Sequence, residues 1–472
     1  MTFRIYNTMT RSLAEFKPMV DGRVGLYVCG PTVYDDAHIG HARATLAFDV
    51  LVRHLLSLGY QVEYVRNYTD VDDKIIARAR ETGLDWKELA ESHIKSFEDD
   101  MAALGCLPPT KTPRATEFIP QMVEDIGAIV DKGMAYPAEG DVFFDVKSLP
   151  GYGRLSGRSA DDQDPGARVA VDDRKRNPGD FALWKSAKPG EPSWPSPWGP
   201  GRPGWHIECS TMSDRLLGAS FDIHGGGQDL IFPHHENELA QSAALGRPMA
   251  GVWCHNGFVN INNEKMSKSL GNFFTVKDIL KLHQAEVLRY FLVSKHYRSP
   301  VDFSDEALEE SGRALERVYR TIAAAEEFLA KNPAGAGETP PPEAAELLAK
   351  FAAAMNEDLN TAAALGFGFD LVRLVNKSVD SGDAPGARAG LAALGKMGAE
   401  LGVWQKKPAE FMAGLKTPEN ALSDSEIESR IAARDAARAG KDWTEADRLR
   451  KELADLGVIL EDKAGKTTWR YA

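Results

Sequence analysis

Residues 23–41 read Arg-Val-Gly-Leu-Tyr-Val-Cys-Gly-Pro-Thr-Val-Tyr-Asp-Asp-Ala-His-Ile-Gly-His. The run from Arg23 to Val28 predicts a buried strand that stops at Cys29-Gly30-Pro31, and from Ala42 to Leu58 apolar residues recur at helical spacing. Strand, loop and helix thus bracket Cys29 to His41. After the break at Gly59, Gln61-Val62-Glu63-Tyr64-Val65 supplies a second strand, completing the strand-helix-strand unit of a parallel sheet. The fold class this predicts is α/β.

Residues from about Thr110 to Pro203 interrupt the pattern with many Pro, Gly and Trp and read as an insertion in the sheet domain. Strand and helix alternation resumes near Trp205 and runs to about Phe258. Then Leu308, Leu315, Ile322 and Leu329 stand seven residues apart, which predicts a long bundle helix over Glu306 to Lys331. Asn332 to Glu346 is a loop by composition, helical patterning returns from Leu347 to about Leu401, and Lys416 to Asp424 reads as a linker to a small terminal module.

With 472 residues the chain is too long for one core, so two to four domains are expected. No apolar run reaches the roughly 18 residues that span a bilayer, and the first residues lack the apolar core of a signal peptide, so a cytoplasmic place is expected. Four cysteines, Cys29, Cys106, Cys209 and Cys254, are too few for a disulfide framework and suit reduced thiols or metal ligands. The net charge of −13 taken alone argues against a nucleic-acid partner. Binding depends on local patches, however, and residues 429–451 carry seven Lys or Arg against four Asp or Glu.

His38-Ile39-Gly40-His41 stands where the first loop becomes a helix, the place in a parallel sheet where helix amides meet phosphate. Paired imidazoles there can donate to an α-phosphate as its charge grows. Read alone, the pair is equally two helix-start histidines. Far downstream, Lys265-Met266-Ser267-Lys268-Ser269 lies in a polar loop, where two lysines suit a departing pyrophosphate; an isolated instance would be a solvated turn. Together the two motifs resemble the class I aminoacyl-tRNA synthetases. The resemblance implies a Rossmann-like catalytic domain making an aminoacyl-adenylate, with His38 and His41 on the ATP phosphates and Lys265 and Lys268 on the transition state and pyrophosphate.

Cys29, Cys209, His234 and Glu238 offer two thiolates, an imidazole and a carboxylate, a sound zinc set, with His234 and Glu238 on one face of a helix begun by Pro233. No Cys-x-x-Cys pair reinforces it, and such residues also serve as core fillers. Tyr27 to Tyr34, Asn67 to Lys74, the Trp205 segment and His224-Gly225-Gly226-Gly227-Gln228-Asp229-Leu230 together resemble the cysteinyl-tRNA synthetases over essentially the whole chain. That resemblance implies L-cysteine, ATP and the cysteine tRNA as substrates, with one zinc held by those four residues to recognise the thiol. It further implies substrate contacts from Gly30, Thr69 and Trp205, His224 ordering the pocket, and a ribose-binding turn at Gly227 and Asp229. Trp205 reads equally as a core aromatic, Cys106 and Cys254 as buried small hydrophobes, and His206, His235 and His255 receive no role. Magnesium is expected with ATP.

Four protein ligands leave a zinc no open position unless it expands to five. The thiol still explains selectivity, because a metal-bound thiol ionises readily whereas a hydroxyl does not.

The domains implied are a catalytic domain over 1–260 with the insertion at about 110–203, a connecting region over 261–305, a helical bundle over 306–415 contacting the tRNA stem, and an anticodon-binding domain over 425–472. In the last, a basic surface interleaved with Trp suits unpaired RNA bases, and Arg434, Arg438, Asp442, Trp443 and Asp447 are the implied contacts. A solvated amphipathic helix with Trp443 in its core is the other reading. A paralogous ligase joining cysteine to an amino sugar would lack this module, and an inert tRNA-binding relative would not need the two phosphate motifs. The family's bacterial members suggest a monomer.

Overall fold

The computed structural model describes residues 2–158, 172–261, 264–265, 274–333, 341–415, 424–456, 458–463 and 466–471. Four parallel strands form the central sheet in the order Met249–Asn256, Ser220–Gly227, Arg23–Val28, Gln61–Arg66. Chain order and sheet order differ, so the loops after Arg23–Val28 and Ser220–Gly227 open side by side at one end of the sheet, where ligands bind in such folds. The helix Ile39–Ser57 crosses between the first two sequential strands, burying Ile39, Ala42, Leu46, Val50 and Leu55. It starts three residues earlier than the apolar periodicity suggests, because His38 caps it with its own ring.

That helix is held along its length. Arg43 is buried and donates to the carbonyls of Leu292, His296 (2.7 Å) and Tyr297 (3.1 Å). Lower down, Asp49 pairs with Arg53 at 2.8 Å and with the buried Arg289. Buried charges are tolerated when paired or fully hydrogen-bonded, as these are.

Between Gln61–Arg66 and the helix Trp205–Leu217 stands a second, antiparallel sheet in the order Ala135–Ala138, Asp141–Phe144, Phe181–Ser186, Gly201–Pro203. Trp184, Phe143 and Phe144 are buried within it. A three-stranded sheet of Val259–Ile261, Glu264–Lys265 and Val301–Phe303 then leads to the helix Asp305–Lys331. Of the four expected seam residues, Leu308, Leu315 and Ile322 are buried there, while Leu329 is only half-buried near the helix end. The helical patterning after Leu347 resolves into Glu343–Asn356, Thr361–Ser381 and Ala384–Leu401, broken at Glu357 to Asn360 and at Gly382. Gly382 adopts φ of 75°, a left-handed cap that a side chain would strain.

The chain divides into two compact units, residues 1–408 and 409–472. In the second, helices Asp424–Ala439 and Trp443–Asp455 and the hairpin Val458–Lys463 with Lys466–Tyr471 enclose Ile427, Ile431, Leu453, Val458 and Leu460.

Candidate functional site

A groove of about 430 Å³ runs along the ends of the central strands, lined among others by Cys29, Gly30, His38, His41, Trp205, Gly227 and Asp229. At its floor four side chains meet. Cys29 lies one residue past its strand, its N–H donating to the Gly225 carbonyl at 3.1 Å, and Cys209 is buried on the helix Trp205–Leu217. His234 and Glu238 come from the next connection. The regular helix there begins at Glu236 rather than Pro233, because Phe232 is extended and residues Ile231–His235 form a wider turn. Even so, His234 Nε2 lies 3.0 Å from Glu238 Oε1.

One ligand atom from each of Cys29, Cys209, His234 and Glu238 falls within 4.8 Å of the others, so this cluster could hold a metal ion. Cys29, His224, His235 and Glu238 form a second such group that shares two members with the first. Borderline-soft zinc takes sulfur, imidazole and carboxylate, and both groups are chemically competent. Only the first supplies two sulfurs.

The electrostatics tie these residues together. Burial would lower the His234 imidazole, but the Glu238 charge and hydrogen bonds to Cys209 and Glu238 raise it to about 10. Burial would raise Cys209, yet Cys29 and His234 bring it down to about 6. Burial first, then Cys209 and Glu238, push the Cys29 thiol well up. Against its own burial, Glu238 is held well below the usual carboxylate range by His224 and His234. Carboxylate and thiolate thus stabilise a protonated imidazole between them.

His206, His235 and His255, which have no role on sequence grounds, all lie here. A ring nitrogen of His206 is 2.9 Å from His234, and His235 Nδ1 is 2.8 Å from His255, whose other nitrogen meets Thr8 Oγ1 at 2.8 Å. Such partners orient metal-binding imidazoles. Their signal in the sequence was slight, since Thr8, His235 and His255 meet only in the fold. Of the two remaining cysteines, Cys254 is buried as expected, whereas Cys106 is half-buried.

Gly30 is required by close approach, because a Cβ there would lie 1.6 Å from the Asn67 carbonyl oxygen. Thr69 and His224 lie behind the groove lining: Thr69 Oγ1 donates to Glu208 at 2.5 Å, and His224 Nε2 is 3.4 Å from Cys29 Sγ. Trp205 is 38% exposed, its ring 4.1 Å from that of His234, so it is a groove wall and not a core aromatic. At the far end, Gly227 lacks a Cβ where Asp229 Oδ1 folds back to 2.3 Å from that position.

At the helix start, His38 Nδ1 accepts from the N–H groups of Gly40 (3.1 Å) and His41 (3.3 Å), and His38 N–H donates to His41 Nδ1 at 3.3 Å. The rings stack with centroids 3.7 Å apart. With both Nδ1 atoms accepting, each neutral ring carries its proton on Nε2 and so presents a donor. Lys265 closes a two-residue strand, but its side chain, like all of Lys268, lies outside the described residues.

In the second unit, Asp442 caps its helix by accepting from Glu445 N–H at 3.1 Å, and Trp443, 61% exposed, is a surface residue rather than a core one. Arg438 and Asp447 are also exposed. Arg434 is only 3% exposed, 3.3 Å from Asp435 and 3.4 Å from Thr467, so its guanidinium belongs to the interior of this unit.

Residues 15–313 match the family model for the class I (C) tRNA synthetase catalytic domain, residues 350–405 the DALR domain, and residues 423–470 the cysteinyl-tRNA ligase anticodon-binding domain. Among curated proteins, the chain is 52% identical over 483 residues to a cysteine-tRNA ligase of Geobacter metallireducens, covering 100% of both. It is 51% identical over 491 residues to that of Syntrophobacter fumaroxidans, again covering 100% of both. Among solved structures, Mycobacterium tuberculosis methionyl-tRNA synthetase with methionyl-adenylate superimposes with a TM-score of 0.59 at 16% identity, over 84% of this chain and 94% of that one. An Agrobacterium radiobacter LeuRS-tRNA ternary complex gives 0.58 at 13% identity over 95% of each. At those identities the likeness is one of fold.

Proposed function

This chain belongs to the cysteine-tRNA ligases of the class I aminoacyl-tRNA synthetases, and from that premise we propose how its residues divide the reaction. The enzyme activates L-cysteine with ATP and loads it onto tRNA. The observation that carries the assignment of the pocket is the convergence of Cys29, Cys209, His234 and Glu238 within 4.8 Å at the groove floor.

Those four residues would hold one zinc ion, with His206 orienting His234. When bound, zinc supplies a soft Lewis acid that favours a substrate thiolate over a serine hydroxyl, the discrimination that a hydrophobic pocket alone gives only about 10 to 200-fold. Trp205 walls the cysteine side chain, and Gly30 leaves room for the substrate backbone. Thr69 spends its proton on Glu208, so its lone pairs remain to accept from the substrate ammonium.

The cysteine carboxylate then attacks the ATP α-phosphorus, and the bond to pyrophosphate breaks. His38 and His41 donate through Nε2 to the phosphate oxygens as charge builds, and Lys265 and Lys268 act on pyrophosphate. Gly227 and Asp229 hold the ribose, and magnesium accompanies ATP as its counter-ion. In the second step a terminal ribose hydroxyl of tRNA attacks the adenylate carbonyl and AMP leaves. No side chain serves as nucleophile; the enzyme positions groups and stabilises charge.

The domain roles follow the same reading: the sheet with its insertion as catalytic domain over 1–260, the region 261–305 as connector, the helices of 306–415 against the tRNA stem, and 425–472 on the anticodon through Arg438, Asp442, Trp443 and Asp447. A monomer is the proposed state. No described helix is long and apolar enough to cross a membrane. Replacing the metal by cobalt tests the thiol assignment: L-cysteine should add a sulfur-to-cobalt charge-transfer band and L-serine should not, and equal spectra with both would remove the metal from substrate recognition.

A further inference from the structure

Two cations in the groove have no part in the reaction as described. Lys74 lies over the Tyr34 ring, Nζ 5.2 Å from its centroid, and both residues line the groove. Arg66 also lines it but is only 4% exposed; its guanidinium rests over Phe97 at 4.9 Å, and its Nε and Nη1 have no hydrogen-bond partner. Among the described residues no carboxylate pairs with either. A buried guanidinium with unmet donors and a lysine lining the same groove give it a standing positive field, which the protein leaves for an anion.

We infer that Lys74, backed by the Arg66 charge, forms a phosphate subsite that receives a phosphodiester of the tRNA 3′ end during transfer. Position favours tRNA over ATP as the source. Arg66 ends the edge strand Gln61–Arg66, whereas Gly227 and Asn256, at the nucleotide end of the groove, close the two strands at the opposite edge of the sheet. The residue before Lys74 ties this corner to the insertion, Asp73 pairing with Lys185 at 2.7 Å and with Arg202. Lys74 therefore stands at the corner of the groove tied to the insertion, across the sheet from Gly227 and Asn256. A lysine there meets a phosphate as a point charge and fixes register without reading sequence.

The inference rests on the ligase reading above, and the test separates the two. Using the full-length zinc-loaded protein, Lys74→Ala and Lys74→Arg are compared with the wild type in ATP–pyrophosphate exchange and in single-turnover transfer from preformed cysteinyl-adenylate. Lys74→Ala should lower the ratio of transfer to activation by about tenfold, the loss of one charge-assisted contact. It should also reduce the slope of log KM for tRNA against log salt by about one. Lys74→Arg should restore most of both. If activation falls as far as transfer, the phosphate is ATP's and the tRNA assignment is wrong; if neither ratio nor slope moves, there is no subsite. Cysteine-dependent exchange by the wild type tests the ligase reading on its own.

Discussion

Cys29 Sγ lies 3.3 Å from Glu238 Oε1, although 209 residues separate them in the chain. The parallel sheet closes that distance by setting the ends of Arg23–Val28 and Ser220–Gly227 side by side. Protons and metal compete for the cluster, since the raised thiol of Cys29 and the imidazole of His234, at about 10, must both deprotonate to ligate. The purified protein should hold about one zinc, releasing roughly two protons on uptake near neutral pH, with affinity falling as pH falls. In Cys209→Ser, metal measured by mass spectrometry should drop to a small fraction; full retention would remove Cys209 from the site.

His38 serves the fold and the chemistry through different nitrogens. Asn is a good N-cap, so His38→Asn keeps the acceptor for the Gly40 and His41 amides and removes the donor. The thermal midpoint should change little, while kcat for activation falls by about 10²-fold or more with little change in the cysteine KM. A stable variant with wild-type kcat would leave His38 a cap and nothing more.

The placing of these residues shows what the sequence could and could not carry. The four-ligand set came mainly from the family resemblance, and Trp443 read as either exposed or core; the strand-loop-helix around Cys29 to His41, which depends on local pattern, was legible. His206, His235, His255 and Arg66 were not. Their surroundings come from elements distant in the chain, and a lone His or Arg carries no trace of its burial. The regular helix starts at Glu236 and not at Pro233 for a similar reason: the extended Phe232 is set by packing at the site and not by local propensity. Arg434 looked like part of a basic face, but the hairpin that covers it lies more than twenty residues further on.

A pH effect on stability follows from Asp100, which is buried, with Oδ2 unpartnered. Burial first, then Asp36 and Asp99, raises its carboxyl to about 6. The folded chain binds this proton more tightly than the unfolded one, so the stability it contributes is full below pH ~4 and is lost as pH rises through about 6. Asp100→Asn should therefore stabilise the protein at pH 8, by about 1–2 kcal/mol after allowance for solvent screening, and give no such gain at pH 4. Denaturant midpoints at the two pH values measure it, and an equal shift at both would show that charge is not the cause.

Trp443 stands exposed at the start of its helix, where Asp442 provides the cap. Stacking on an unpaired base contributes roughly 1–3 kcal/mol, so Trp443→Ala should raise the tRNA KM by about 5 to 150-fold. As a surface change it should leave folding stability within about 0.5 kcal/mol. Steady-state aminoacylation on a preparation checked by circular dichroism decides this; an unmoved KM would take the anticodon contact away from Trp443.

One chain, with a metal-binding thiol pocket, should activate cysteine and exclude its hydroxyl counterpart. ATP–pyrophosphate exchange measured with L-cysteine and with L-serine on the zinc-loaded protein tests it most directly. Exchange with cysteine should be strong, with a preference over serine well beyond the roughly 200-fold that a hydrophobic pocket could supply. Exchange with serine within that margin, or none with cysteine, would contradict it.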